Sequence, residues 1–318
     1  MAALAQSLLF ALSVTGPIFI MMGLGVLLKR VRLIDDHFIQ VASTLVFRVC
    51  LPTLLFLSIQ NASMPGADSL LIIGIALLVT LLFFLGLWFI TPLLVKEHRD
   101  RGVFIQGCFR SNLGIIGLAF SARAFGNEGL ALASMIMAFV TVLYNVLSVI
   151  ALTHFLKASG ERRLKSVFMG IFSNPLILAI ALSFIIKSLG LSLPSVILEA
   201  GAYFASMTLP LALLCIGGTL SLRSLRKSVR LGLWASFMKL LVLPGCTLAM
   251  AIFFDVSGMR LAVLFLMVSA PTAAASYVMV EAMKGNGELA ANIIAMSTVW
   301  SILTVSLGLF LLKSTGLV

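Results

Sequence analysis

A chain of 318 residues that is 61% hydrophobic and only 10% charged, with a mean hydropathy of +1.17, carries more apolar surface than a soluble fold can hide. It has room for about ten apolar segments of roughly 20 residues, each long enough to cross a hydrocarbon core about 30 Å thick. The formal net charge of +11 would suggest a nucleic-acid partner in a soluble chain, but the basic residues collect in alternate short loops, as membrane orientation requires, so no nucleic acid is expected.

Apolar runs predict spans at 8–29, 36–59, 68–95, 101–122, 128–156, 167–187, 194–220, 230–254, 258–282 and 288–312. The fold class they imply is an all-α polytopic membrane protein with ten transmembrane helices. No basic residue precedes Lys29, so the first span lacks the charged leader of a cleavable signal and is expected to stay in the mature protein. Basic residues follow the first span (Lys29, Arg30, Arg32), the third (Lys96, Arg99, Arg101) and the fifth (Lys157, Arg162, Arg163, Lys165). They also follow the seventh (Arg223, Arg226, Lys227, Arg230) and the ninth (Lys284), whereas the opposite loops hold only Arg123, Lys187, Arg260 and Lys313. Fifteen against four puts the first set in the cytoplasm and both termini outside.

Cys50, Cys108, Cys215 and Cys246 fall inside apolar spans without metal-ligand spacing and read as small hydrophobes, with no metal or cofactor implied. Three basic residues, Arg48, Arg110 and Lys239, lie within spans, whereas all 11 acidic residues lie in connections or near span ends. The membrane interior is therefore basic without a carboxylate partner. His37, His98 and His154 sit near span ends, which speaks against a proton relay, while unwound carbonyls could hold sodium, so sodium and proton coupling both stay open.

The fourth span contains F-R-S-N-L-G-I-I-G-L-A-F, Phe109 to Phe120, where an arginine and an asparagine are joined by Gly114 and Gly117. Such a segment is expected to break the helix, and broken backbone survives at mid-depth only where protein or a water-filled cavity satisfies it. A shift of 158 positions superimposes Pro17 and Lys29 on Pro175 and Lys187, Leu51-Pro52 on Leu209-Pro210, and Ser111 on Ser269 of S-A-P-T-A-A-A-S-Y. The two halves, 1–157 and 166–318, then hold five spans each. An odd number inverts the second half, and inverted repeats build carriers whose site lies at the midplane between discontinuous helices. Breaks are expected at Asn112 to Gly117 and at Pro271 to Ala275.

Two interrupted helices meeting at mid-depth would present half-helix N-termini to an anion. Arg110 could grip a carboxylate, the alternative being a structural arginine on broken-helix carbonyls. Asn112 could bind the ligand or cap the break. Arg48, about 15 Å of helix from either end of its span, could touch substrate or brace a domain interface. Lys239 could snorkel, pair with the C-terminal end of a half-helix, or act in gating or coupling. Asn145 could face the same cavity or bond between helices.

These motifs resemble the auxin efflux carrier family, bacterial branch, within the bile acid, arsenite and riboflavin transporter group: L-P-T-L-L-F at 51–56, R-S-N-L-G-I-I-G-L-A at 110–119, S-N-P-L at 173–176, K-L-L-V-L-P at 239–244 and S-A-P-T-A-A-A-S-Y at 269–277. The resemblance implies two inverted five-helix repeats with broken crossover helices four and nine, a scaffold from helices one, two, six and seven, a transport domain from helices three to five and eight to ten, elevator motion and a homodimer. The family's crossover asparagine matches Asn112 and the first proline of its second crossover matches Pro271. Ala119 and Ser276 stand where plant members have further prolines, so a milder break is implied and auxin itself is not. Gly114, Thr272 and Ser276 join Arg110, Asn112, Pro271, Asn145 and Arg48 as candidate substrate residues.

The function expected is a carrier in the cell inner membrane for a small organic anion, malonate-like or auxin-like. A transporter-like sensor and a channel are alternatives, and an intramembrane enzyme is disfavoured by the absence of H-E-x-x-H, G-x-S-x-G and paired intramembrane carboxylates.

Overall fold

Apolar sequence without strand alternation folds mainly as helix over the described residues, 2–61, 67–156, 175–191, 193–219 and 229–318, of the computed structural model. Seven helices there are long and apolar enough to cross a membrane, and two shorter apolar helices accompany them. The protein is a multi-pass, all-α membrane protein. Lys157, Arg162, Arg163 and Lys165, the beginning of the sixth expected span, Ser173 and Asn174, and Arg223, Arg226 and Lys227 lie outside the described residues.

In chain order the helices are α1 (Ala2–Arg30), α2 (Asp36–Leu45), α3 (Leu51–Asn61), α4 (Ala67–Leu94), α5 (His98–Phe109), α6 (Leu118–Leu156) and α7 (Pro175–Ser188). They continue as α8 (Ser195–Thr219), α9 (Val229–Phe237), α10 (Leu243–Phe253), α11 (Gly258–Ser269), α12 (Ala275–Ala282) and α13 (Gly287–Ser314). Single π turns, Val46–Cys50 and Met238–Val242, join α2 to α3 and α9 to α10, and each carries one of the intramembrane cations, Arg48 or Lys239. A π turn inserts one extra residue into the helical ladder and often marks a functional position.

The fourth expected span is broken around Asn112–Gly117, and the expected boundary between the fourth and fifth spans, 122 to 128, brackets a non-helical point inside α6. Helix α5 stops at Phe109, and after a π turn at Leu113–Gly117 the chain enters α6, which bends at Phe125 and Gly126. Gly126 takes φ 57°, the left-handed conformation that glycine tolerates, and no heavy atom would meet a Cβ there. The ninth span is likewise two helices, α11 ending at Ser269 and α12 starting at Ala275. Both α5 and α11 are 12 residues long, and their end-to-end correspondence is two positions away from the register that placed Ser111 on Ser269.

Helix packing forms two groups, which are joined where α1 also runs along α13 and where α3 packs on α6. Helix α1 runs along α8, and α3 packs against α7 and α8. Helices α4, α5, α6, α10 and α11 pack on one another, with α9 and α12 against α13. Asn286, the N-cap of α13, donates to Asp100 Oδ1 at 3.0 Å near the start of α5. At the other end, Lys313 lies over the Phe10 ring at 5.2 Å and Arg123 donates to the Ser13 carbonyl at 3.1 Å.

Small residues set how closely α1 and α8 approach. A Cβ on Gly217 would collide with the Met22 carbonyl oxygen, and one on Gly25 with that of Leu214, so the two backbones touch where side chains would normally separate them. This is how transmembrane helices gain packing energy without a hydrophobic drive between them. Gly217→Val is expected to destabilise the protein by about 1–3 kcal/mol, the usual range for overpacking. Thermal unfolding in detergent checks this, with Gly74→Ala, where nothing lies within 4 Å, expected to hold or raise the midpoint.

Candidate functional site

Where α5 and α11 stop, their chains cross and pair. The Asn112 amide donates to the Pro271 carbonyl at 2.7 Å, the Ala273 amide donates to the Arg110 carbonyl at 3.0 Å, and Ser111 and Thr272 face each other as an antiparallel bridge. Three residues of each break thus satisfy one another as a fragment of sheet would, deep in protein. Proline costs nothing at position 271, because only its carbonyl is used.

Side chains satisfy the helix ends that the crossing exposes. Thr272 Oγ1 donates to the Gly107 carbonyl of α5 at 2.7 Å, and the Thr272 amide donates to Ser297 Oγ on α13 at 3.1 Å. The Val268 carbonyl of α11 accepts from Ser111 Oγ at 3.0 Å and from Lys239 Nζ at 2.6 Å. Tyr144 of α6 donates its hydroxyl to Ser111 Oγ at 3.2 Å. Phe109, the last residue of α5, is held edge-on between Phe84 and Tyr144, each ring 5.6 Å away.

Arg110 follows immediately and is buried, with 7% of its surface exposed. Its Nη1 donates to Ser148 Oγ at 3.2 Å and Met279 Sδ at 3.3 Å, and its Nη2 to Asn145 Oδ1 at 2.8 Å. All three partners are neutral. A guanidinium has five N–H donors, so the Nε–H and the second Nη2–H have no acceptor among the described residues. Nε and Nη2 share one edge of the guanidinium plane, and the spacing of that edge matches the two oxygens of a carboxylate.

The structure places the other candidates as follows. Asn145 holds Arg110 from α6. Asn112 is buried, gives its amide to Pro271 and its carbonyl to the Gly117 amide at 3.0 Å, and makes no side-chain cap bond. Its carboxamide is not committed to capping. Thr272 spends its hydroxyl on α5, and Ser276 is buried with its Oγ unpartnered.

At Gly114 a Cβ would meet Leu51 Cδ2 at 3.5 Å and Met137 Sδ at 3.6 Å, ordinary contact, whereas at Gly117 one would meet Met267 Sδ at 2.8 Å. The steric demand for glycine therefore lies at Gly117. Lys239 is fully buried, and its bond to Val268 is the pairing with a half-helix C-terminus. Such an end carries partial negative charge. Arg48 is exposed on its π turn and makes none of these contacts.

Sequence reasoning missed Ser148, Met279, Gln106, Tyr144 and Ser297. Ser148 and Tyr144 flank Asn145 on one helix at spacings of three and one, a weak signal. Nothing in the local sequence marks Met279 or Gln106.

A family model described as membrane transport protein matches residues 13–309. The chain is 25% identical over 299 residues to an uncharacterized transporter of Methanocaldococcus jannaschii, covering 91% of this chain and 95% of that one. It is also 25% identical over 294 residues to an uncharacterized transporter of Methanothermobacter thermautotrophicus, covering 91% and 94%. Both relatives are archaeal proteins.

Replacing Thr272 with Val keeps its shape and strips the Gly107 carbonyl of its partner. A loss of about 1–3 kcal/mol is expected. Ser276→Ala, which removes a buried hydroxyl with no partner, should cost nothing measurable. Thermal midpoints of the two purified variants beside wild type check the contrast.

Proposed function

The chain belongs to the membrane transport protein family, the auxin efflux carrier-like group, and on that footing we propose that it is a secondary carrier of a small organic anion, a carboxylate, bound at the crossover. The observation that carries this is Arg110, a buried cation whose three partners are neutral and whose Nε–H and remaining Nη2–H have no acceptor among the described residues. Burying a charge is costly unless it is paired, and an arriving carboxylate supplies the pairing. Asn112, with its side chain uncommitted, stands two residues along the same break. Ala274 and Ala275 at the start of α12 are exposed, while the next two amides, of Ser276 and Tyr277, are spent on the Ala273 and Ala274 carbonyls.

Alternating access follows the elevator pattern: α4 to α6 and α9 to α13 move together against α1 to α3, α7 and α8. The close glycine contact of α1 with α8, and the packing of α3 on α7 and α8, support treating the second set as one scaffold. The ten-helix inverted repeat, a homodimer, the cell inner membrane with both termini outside, and sodium or proton coupling belong to the same proposal. Family membership and the names of the relatives support a transporter and not an enzyme.

Uptake of radiolabelled malonate and other small carboxylates into proteoliposomes tests this. Saturable uptake by wild type is expected, and Arg110→Ala should weaken apparent affinity by about 30-fold or more, as loss of a buried charged partner does. Asn112→Ala should reduce it less. Wild-type uptake that both variants retain would overturn the crossover site.

A further inference from the structure

We propose that Gln106 is a second ligand-reading group, and that the thioether of Met279 occupies its place and Arg110's until the ligand displaces it. This rests on the proposed function's assignment of Arg110 as the anion-binding cation. Gln106 lies one helical turn before Arg110 on α5, its carbonyl accepting the Arg110 amide at 3.1 Å, so both side chains leave the same face. It is fully buried. Its Nε2 donates to Met279 Sδ at 3.3 Å, and its Oε1 has no partner.

A buried carboxamide served at one end by sulfur and at the other by nothing is poorly satisfied. Thioether sulfur is a weak acceptor, and buried amides in folded proteins normally find better. Reversing the amide would leave its N–H₂ unpaired and turn oxygen toward sulfur, which is worse.

The same sulfur lies 3.3 Å from Arg110 Nη1, so one atom on α12 covers both Gln106 of α5 and Arg110 just past its end. Met279 is only partly buried on this eight-residue half-helix, and an unbranched thioether moves easily between rotamers. The sulfur holds Arg110 by Nη1, so a carboxylate on the Nε and Nη2 edge displaces it by drawing the guanidinium away, because hydrogen bonds to an ionised acceptor are about twice as strong as neutral ones. What remains for the Gln106 oxygen is a donor. The ligand class that fits is a carboxylate bearing a hydroxyl or N–H close to the acid group, with the acid on Arg110 and the donor on Gln106 Oε1.

Matched acids differing by one hydroxyl test this. The purified full-length protein is titrated by calorimetry with L-lactate against propionate and L-malate against succinate. Wild type should bind the hydroxy acid of each pair about three- to tenfold more tightly, the worth of one net hydrogen bond. Gln106→Leu should bring that ratio to about one, and Met279→Leu, which keeps volume but removes the competing acceptor, should tighten binding of all four acids severalfold.

Acids that bind wild type without a hydroxyl preference, or a preference that survives Gln106→Leu, would overturn the role of Gln106 and leave Arg110 standing. Unchanged binding by Met279→Leu would overturn the displacement. Absence of heat from all four acids would overturn this inference together with the anion site.

Discussion

A peptide group that leaves a helix inside hydrocarbon must find a partner in protein, at a cost of several kcal/mol if it does not. Two helices break at the same place here, and the breaks answer each other: residues 110–112 pair with residues 271–273 through two backbone hydrogen bonds. Neither break could persist alone. The rest of the centre follows from this pairing, since it fixes where the ends of α5 and α11 fall and hence which carbonyls need donors. Thr272 serves α5, and Ser111 and Lys239 serve α11. Each broken helix thus receives a hydroxyl from the other's break, an exchange that ties the two together beyond their backbone pair.

The two fully intramembrane cations of this centre have different surroundings. Lys239 meets the C-terminal end of a half-helix, where a cation is stabilised by the aligned backbone dipoles. Arg110 sits past the end of its own half-helix and is turned onto Asn145, Ser148 and Met279, which orient it without neutralising it. In the function proposed here the first is a structural clamp on the crossing and the second is the ligand's counter-charge. That division also explains why a fully buried lysine and a buried arginine can stand in one bundle: they are committed to different partners.

The multi-pass helical class and the place of both breaks were legible in the sequence, because Arg110, Asn112, Gly114, Gly117 and Pro271 are residues that a continuous apolar helix does not carry. The geometry of the crossing was not. The register that matched Pro17 with Pro175 and Leu51-Pro52 with Leu209-Pro210 slips by two positions at the ends of α5 and α11, and a register between halves does not say which residues meet, here Ser111 with Thr272. The π turns at Val46–Cys50 and Met238–Val242 leave no compositional trace, since an extra residue in a helix changes no hydrophobic pattern. Met279 and Gln106 were invisible for a related reason. Their importance comes from a contact across 173 positions of sequence, and each taken alone is an ordinary residue of a membrane helix. Of the two glycines the sequence singled out Gly114, whereas the packing of Met267 puts the steric demand at Gly117.

The measurement that bears most directly on the central claim is a structure of the protein with a transported carboxylate bound. The account predicts the carboxylate against the Nε and Nη2 edge of Arg110, beside a crossing in which residues 110–112 and 271–273 remain paired. A carboxylate bound elsewhere, with that edge of Arg110 left as it is and Asn145, Ser148 and Met279 still its partners, would contradict it.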